Sequence, residues 1–173
     1  MLAPRTPARR PTPLAGIELV LLDVDGVLTD GRLYFSARGE TQKAFHVRDG
    51  HGIKLLMGSG VTVAVASGRR SAAVTARMRE LGVRHVVQGC ADKVLTLRSL
   101  GARLGIDPLA CACLVDDTPD LPLMTAVGFA AAVADAHPLV VSAAHWVSSL
   151  PGGTGAVREL CDLLLRARAA RQL

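Results

Sequence analysis

Carboxylate side chains directly follow two short apolar runs of this chain, and a serine and a lysine follow two others. The first acids, Asp23 and Asp25, are separated only by Val24 in the segment DVDGVLT. The carboxyl ends of parallel strands meet at one edge of an open α/β sheet, where ligands bind. We therefore expect one site there, formed by Asp23, Asp25, Ser67, Lys93, Asp116, Asp117 and Asp120.

This set of side chains suits phosphoryl transfer with magnesium. Several carboxylates at close range cannot all stay ionised without a cation, and ligation by oxygen alone favours Mg²⁺. A carboxylate such as Asp23 can attack phosphorus, which splits hydrolysis into formation and breakdown of an aspartyl-phosphate. Asp25 can protonate the leaving oxygen and then activate water. Lys93 and the Ser67 hydroxyl would balance charge on the transferring oxygens.

Each of these pieces has a simpler interpretation when it is taken alone. The pair Asp116 and Asp117 can cap a helix, Ser67 can belong to a turn, and Lys93 can be a solvated surface lysine. The string at residues 23–29 is more specific than any of these. The order of acid pair, serine, lysine and second acid pair argues against coincidence and favours a site.

The elements that must position these residues alternate along the chain. Near-continuous apolar runs predict strands that are covered on both faces, as in the parallel sheet of an α/β fold. Two segments, 31–35 and 41–47, predict a β-hairpin inserted directly after the first strand, with residues 36–40 as its turn. The predicted strands are 17–22, 61–66, 84–87, 110–115 and 128–133, and the predicted helices are 50–58, 70–81, 92–105, 119–126 and 154–170.

Composition limits the other possibilities. With 173 residues, of which 50% are hydrophobic, the chain can bury one core, and we expect a single domain over residues 16–173. Residues 1–15, rich in Pro and Arg, are predicted to be a disordered tail. Arginines near the two ends account for the net charge of +5, and aromatic residues are few, so we expect no nucleic-acid partner. No signal peptide or membrane span is recognisable, so we expect a cytoplasmic protein with no membrane contact.

The motifs resemble those of the haloacid-dehalogenase phosphatase superfamily. The segment DVDGVLTDG at 23–31 is similar to its first motif, and Ser67, Lys93 and the segment DDTPD at 116–120 are similar to the next three. The resemblance implies a three-layer Rossmann-like fold. It also implies that Asp23 is nucleophile and metal ligand, that Asp25 is acid/base with its carbonyl on the metal, and that Asp116 is a direct ligand. Asp117 and Asp120 would support the metal indirectly.

Three further segments narrow the resemblance to one family. These are HVRDGHGIK at 46–54, VADAHPLV at 133–140 and GGTGAVREL at 152–160. With the first motif they resemble the 3-deoxy-D-manno-octulosonate 8-phosphate phosphatases, over about residues 17–165. The intervals between the motifs leave no room for a cap domain. The residues that the resemblance assigns to substrate are His46, Val47, Arg48, Asp49, Gly50, Lys54, Gly68, Arg69, Arg77 and Lys93.

The family resemblance also implies assembly and a biological role. It implies a homotetramer in which the hairpins come together and the Gly-rich segment can reach a neighbour's site. It also implies a place in lipopolysaccharide precursor synthesis. Val115, where a glycine commonly precedes the acid pair, and Pro119 depart from the family pattern but leave the carboxylates in place. Two alternatives stay open: a phosphatase of another 2-keto sugar acid phosphate such as a nonulosonate 9-phosphate, and a non-catalytic oligomeric or receiver-like module.

Overall fold

The computed structural model describes residues 11–37 and 39–171, and they form an α/β fold around one parallel sheet. Six strands lie in the order β5-β4-β1-β6-β7-β8, and each neighbouring pair is parallel. The strands of this sheet are β1 (Leu19–Leu22), β4 (Thr62–Ser67), β5 (His85–Gln88), β6 (Cys111–Val115), β7 (Phe129–Ala132) and β8 (Trp146–Val147). The predicted α/β class and parallel sheet are confirmed.

The helices lie in two layers because side chains of a strand alternate between its faces. From β1, Val20 and Leu22 enter one buried cluster, and Leu19 and Leu21 enter the other. The first cluster includes side chains of α1 (Val47–Gly58), α2 (Ala72–Leu81) and α6 (Ala156–Arg171). The second includes side chains of α3 (Lys93–Leu104), α4 (Leu121–Ala126) and α5 (Pro138–Ala143). The three-layer arrangement expected for a Rossmann-like fold is therefore confirmed.

Two elements near the end of the sheet were not predicted. The helix α5 has six residues, and β8 has two. Neither is long enough to show a hydrophobic period. Only their packing against β7 reveals them: the backbone N–H of Ser148 donates to Ala132.

The hairpin forms a separate two-stranded sheet, as predicted, but it is shorter than predicted. Its strands are β2 (Tyr34–Ser36) and β3 (Gly39–Gln42), antiparallel, with a register shift between Tyr34 and Phe35. Residues 43–46 are not part of a strand, because the chain there leads directly into α1. Between β1 and β4 the described residues thus contain only this hairpin and α1, and between β4 and β5 only α2. This leaves no room for a cap domain.

The predicted N-terminal tail lies partly outside the described residues, which begin at residue 11. The rest of it is ordered, contrary to the prediction. The backbone N–H of Thr12 donates to Gly128 at 2.9 Å, its hydroxyl donates to Leu109, and Leu14–Gly16 form a 3₁₀ turn. These long-range hydrogen bonds cannot be read from local composition. No helix of the described residues is long and apolar enough to cross a membrane.

Candidate active site

The acid pair of the first motif lies at the carboxyl end of the central strand β1. Asp23 follows Leu22 directly, and its backbone N–H donates to Leu114 of β6 at 3.2 Å. Val24 is fully buried between the two acids, so that Asp23 and Asp25 both line the cavity at this edge. The alternation of side chains at a strand end therefore gives both carboxylates access to one ligand.

Lys93, the first residue of α3, lies between two acids: Asp23, which follows β1, and Asp120, in the 3₁₀ turn after β6. Its Nζ lies 2.9 Å from Asp23 Oδ1 and 2.6 Å from Asp120 Oδ2. Burial alone would lower the pKa of Lys93, but the carboxylates of Asp23 and Asp120 outweigh it and raise that pKa. Lys93 is therefore a fixed positive charge inside the site, and the interpretation of Lys93 as a solvated surface residue does not hold.

Asp116 completes a cluster of three carboxylates. Oxygen atoms of Asp23, Asp116 and Asp120 all lie within 4.8 Å of one another. Asp116 packs directly on Gly26, where a Cβ would lie 2.6 Å from its Cγ, and Gly26 has φ +88°. Only glycine satisfies both demands. The glycine of the first motif thus lets Asp116 approach β1.

Asp120 and Asp117 occupy different places in the site. Asp120 is buried, and one of its oxygens belongs to the carboxylate cluster itself. Asp117 is exposed at the rim of the cavity, where its Oδ1 accepts from the Thr118 N–H at 2.7 Å. The simpler interpretation as a cap therefore applies to Asp117, whereas Asp116 faces the site.

The two departures from the family pattern are accommodated without displacing the acids. Val115 is fully buried in β6 and pairs with Ala132 of β7. Pro119 lies in the 3₁₀ turn Thr118–Asp120, where a missing N–H costs nothing. The close approach near Asp116 comes from Gly26 rather than from the residue before the acid.

The site opens into a cavity of about 790 Å³. Ser67 is 3% exposed at the end of β4, and its Oγ accepts from the Arg69 N–H at 3.2 Å. Arg69 projects toward Asp25, with 4.0 Å between Nε and Oδ2. The cavity is lined by Asp23, Asp25, Ser67, Gly68, Arg69, Lys93, Asp116, Asp117 and Asp120, together with Gly31, Cys90, Ala91, Asp92, Val94, Pro119, Pro122 and Leu123. The cavity thus offers carboxylates that can hold a metal, a nucleophilic carboxylate and the two cations Lys93 and Arg69. These are the groups that would bind a phosphate and attack it.

Comparison with known proteins agrees with this chemistry. Residues 85–158 match the model of the haloacid dehalogenase-like hydrolase family. A 3-deoxy-D-manno-octulosonate 8-phosphate phosphatase from Yersinia pestis is 47% identical over 154 residues, which cover 89% of this chain and 82% of the relative. The chain belongs to this phosphatase family. A crystal structure of such a phosphatase from Yersinia pestis has a TM-score of 0.89, 45% identity, and coverage of 92% of this chain and 86% of the other.

A second solved member of the octulosonate-phosphate phosphatase family bears on the cofactor. The enzyme from Moraxella catarrhalis, described in complex with magnesium, phosphate and KDO, has a TM-score of 0.88 and 38% identity, and the match covers 92% of each chain. The chain is thus a phosphatase, a hydrolase of phosphoric monoesters, and its cofactor is Mg²⁺. The non-catalytic and receiver-like alternatives are therefore wrong.

The residues present fit a magnesium ion. Mg²⁺ takes hard oxygen ligands and is bound by one or two carboxylates together with water and substrate phosphate. The clustered oxygens of Asp23, Asp116 and Asp120 supply such ligands. Burial, followed by the negative charges of Asp23 and Asp120, raises the pKa of Asp116 to about 7. A cation in the cluster would relieve that repulsion.

This repulsion predicts a pH-dependent stabilisation by magnesium. Because the pKa of Asp116 is raised in the folded protein, its contribution to stability is present near pH 4 and is lost as pH rises through about 7. We expect the melting temperature of the metal-free protein to fall between pH 5 and pH 8, and MgCl₂ to restore it mainly at pH 8. Thermal unfolding with and without MgCl₂ measures this.

Asp116→Asn is the matched control, because an amide cannot ionise at this position. The variant should show a smaller fall in melting temperature and a smaller effect of MgCl₂. An equal pH dependence in both proteins would contradict the assignment of the repulsion to Asp116.

Of the predicted substrate residues, only Gly68, Arg69 and Lys93 line this cavity, and the other seven do not. Asp49 is buried in the first turn of α1, and its Oδ1 accepts from the Arg158 N–H of α6 at 2.8 Å. Burial raises the pKa of Asp49, although the bond from Arg158 opposes this. Gly50 lies against the guanidinium of Arg77, which also pairs with Glu80 at 2.8 Å.

The remaining members of this group lie along the start of α1. His46 precedes the helix, Val47 is 79% exposed, and Arg48 and Lys54 are exposed. The structure therefore divides the predicted substrate residues. Gly68, Arg69 and Lys93 surround the carboxylates, and the others form a separate group on α1 and α2.

The Gly-rich segment packs on the loop that follows Asp25 in its own chain. The N–H of Gly153 donates to Val27 at 2.9 Å, and the N–H of Gly152 donates to Asp135 Oδ1 at 2.9 Å. A Cβ at Gly152 would overlap the carbonyl oxygen of Gly26. These two glycines thus hold the loop that follows Asp25.

Lys43 is a residue of the site region that sequence analysis missed. It directly follows β3, and its Nζ contacts Asp25 Oδ1 and lies 3.1 Å from Glu40 Oε2. The available signal was two opposite charges, Glu40 and Lys43, in one short hairpin. Local sequence cannot show where a hairpin folds back, and so it did not place Lys43 beside Asp25.

Proposed function

We propose that this phosphatase hydrolyses 3-deoxy-D-manno-octulosonate 8-phosphate to the free sugar acid and phosphate through an aspartyl-phosphate on Asp23. The observation that carries the proposal is the cluster of Asp23, Lys93, Asp116 and Asp120 around one cavity in a chain 47% identical to such an enzyme. The KDO, phosphate and magnesium described for the relative from Moraxella catarrhalis support the substrate.

In the first step, a carboxylate oxygen of Asp23 attacks phosphorus as the bond from phosphorus to the sugar oxygen breaks. Asp25 transfers its proton to that oxygen, so that the sugar leaves as an alcohol. Lys93, whose Nζ lies 2.9 Å from Asp23 Oδ1, keeps the nucleophile in place and balances charge on the phosphoryl oxygens. The Ser67 hydroxyl and the backbone N–H groups after it are available as further donors.

In the second step, a water molecule attacks the phosphorus of the aspartyl-phosphate and the bond to Asp23 breaks. Asp25, now ionised, accepts the proton of that water, which restores the free carboxylate of Asp23 and the protonated carboxyl group of Asp25. Bound Mg²⁺ supplies positive charge that neutralises the phosphoryl oxygens, with Asp23, Asp116 and Asp120 as the carboxylates that would hold it. We infer a supporting role for Asp117 at the cavity rim.

The carboxylate of the sugar acid needs a cationic partner in addition to those that bind phosphate. Arg69 lines the cavity, 44% of its side chain is exposed, and a guanidinium can bind a carboxylate through two bonds. We propose Arg69 for this contact. His46, Val47, Arg48, Asp49, Gly50, Lys54 and Arg77 remain proposed substrate residues and lie in the separate group on α1 and α2.

We propose that the protein acts as a homo-oligomer, a tetramer by family resemblance. The support within the chain is apolar surface at the hairpin and the start of α1, where Leu33 is 43%, Phe35 61% and Val47 79% exposed. Such surface favours contact between subunits. A role in lipopolysaccharide precursor synthesis in the cytoplasm follows from the proposed substrate and is part of the same proposal.

A phosphate-release panel tests the substrate. With Mg²⁺ present, we expect the highest kcat/KM for 3-deoxy-D-manno-octulosonate 8-phosphate and a value lower by about tenfold or more for nonulosonate 9-phosphates, since their longer chain places the carboxylate differently. Equal or higher kcat/KM for a nonulosonate phosphate would assign the enzyme to that alternative. Phosphate release from neither class would contradict both.

A further inference from the structure

A buried lysine connects the hairpin to the proton-transferring carboxylate. The side chain of Lys43 is only 1% exposed, and its ammonium group contacts Asp25 and Glu40. A lysine loses side-chain entropy when it is fixed, and burial of its charge is costly unless anions surround it. Lys43 is thus a buried, paired cation, unlike an ordinary lysine of a β-hairpin.

Glu40, the second anion beside Lys43, is held by two residues of the loop that follows β4. The hydroxyl of Ser71 donates to Glu40 Oε1, and an Arg69 guanidinium nitrogen lies 3.8 Å from Glu40 Oε2. The bond from Ser71 lowers the pKa of Glu40 against the effect of burial, and Lys43 and Arg69 act in the same direction as Ser71. Glu40 therefore stays ionised and holds Lys43 against the loop that follows β4.

The arrangement leaves one oxygen of Asp25 for chemistry. Oδ1 contacts Lys43, whereas Oδ2 lies 4.0 Å from Arg69 Nε at the cavity. Asp25 lines the cavity and Lys43 does not. Lys43 and Arg69 both face Asp25 and Glu40 in this network. Lys43 therefore acts on the reaction through Asp25 and not by contact with the substrate.

We propose that Lys43 is a positioning residue that holds the Asp25 carboxylate with Oδ2 directed at the leaving oxygen of the substrate. The inference rests on the proposed function, in which Asp25 moves the proton. It gives the hairpin a role in catalysis within its own chain. Loss of the Lys43 ammonium would let the Asp25 carboxylate rotate away, while Asp23, Lys93 and the metal ligands keep their places.

The test compares two leaving groups in Lys43→Met. A sugar alkoxide must be protonated as it leaves, whereas the nitrophenolate of p-nitrophenyl phosphate leaves without a proton. We expect kcat/KM for the sugar acid phosphate to fall by about 100-fold, within the range of general acid catalysis, and kcat/KM for the aryl phosphate to fall by less than about tenfold. A structural role for Lys43 would lower both equally, and equal losses or no loss would overturn the proposal.

Controls keep this test separate from that of the proposed function. The activity of the unsubstituted protein on the sugar acid phosphate tests the function, and only the change in the ratio of the two kcat/KM values tests Lys43. Gln42→Met, at the exposed neighbouring position in β3, should leave the ratio unchanged, and a similar change there would overturn the proposal. If Lys43→Met does not fold, Glu40→Gln carries the test: the ratio should shift in the same direction, and an unchanged ratio overturns the proposal.

Discussion

Replacement of Asp23 by asparagine is expected to abolish phosphate release while the protein stays folded. The amide has nearly the same shape but cannot attack phosphorus, and it is a poorer metal ligand. We expect kcat to fall by about 10³-fold or more, as when the nucleophile of a catalytic set is removed. The fold should persist, because the substitution also removes a negative charge that lies close to Asp116 and Asp120. Phosphate release and the melting temperature of the metal-free variant are the two measurements.

Glu18→Gln is the matched control for this experiment. Glu18 is an exposed acid just before the opposite, N-terminal end of β1, far along the strand from the cavity. The control should release phosphate at the rate of the unsubstituted protein. If Asp23→Asn and Glu18→Gln were both active, Asp23 would not be the nucleophile, and the proposed mechanism would be wrong.

Replacement of Gly152 by alanine is expected to be the most disruptive single-methyl change. The added Cβ would overlap the carbonyl oxygen of Gly26, and it would lie 2.5 Å from the carbonyl carbon and 3.1 Å from the Thr29 oxygen. These are backbone atoms, so the loop after Asp25 must move. We expect a loss of about 3 kcal/mol in the free energy of unfolding, the upper end for overpacking. This corresponds to a melting temperature lower by about 6–12 °C.

The same substitution should also reduce catalysis in the fraction that remains folded. The displaced loop carries Gly26, on which Asp116 packs, and it begins at Asp25. Thermal unfolding by circular dichroism and phosphate release well below the melting transition separate the two effects. Gly58→Ala is the control: apart from neighbouring backbone of its own helix, no heavy atom lies within 4 Å of a Cβ there. Its melting temperature should therefore stay within a few degrees. Unchanged stability of Gly152→Ala would contradict the close packing of the two loops.

Sequence patterns predicted which side chains gather in the cavity, because strand ends bring them together. Asp23, Asp25, Ser67, Lys93 and Asp116 all line one cavity, as their positions after predicted strands required. Parallel pairing of β1 with β4 and β6 places these ends side by side. Topology and residue type were therefore sufficient to predict which groups meet, and no detailed distances were needed.

The predictions that failed depended on contacts between distant segments. Thr12 bonds to residues far along the chain, and the six-residue helix α5 and two-residue strand β8 are too short to show a period. Such contacts are decided by tertiary packing, and residue type does not reveal them.

The sequence by itself determined the residue types of the site, their order and the parallel sheet that gathers them, because these follow from apolar periodicity and local motifs. Only the tertiary structure decided the pairing of Lys43 with Asp25, the packing of Gly152 on Gly26 and the separation of Asp49 from the cavity. Each of these contacts joins segments at least 18 residues apart. Their partners are selected by how layers and loops pack, which no local pattern encodes.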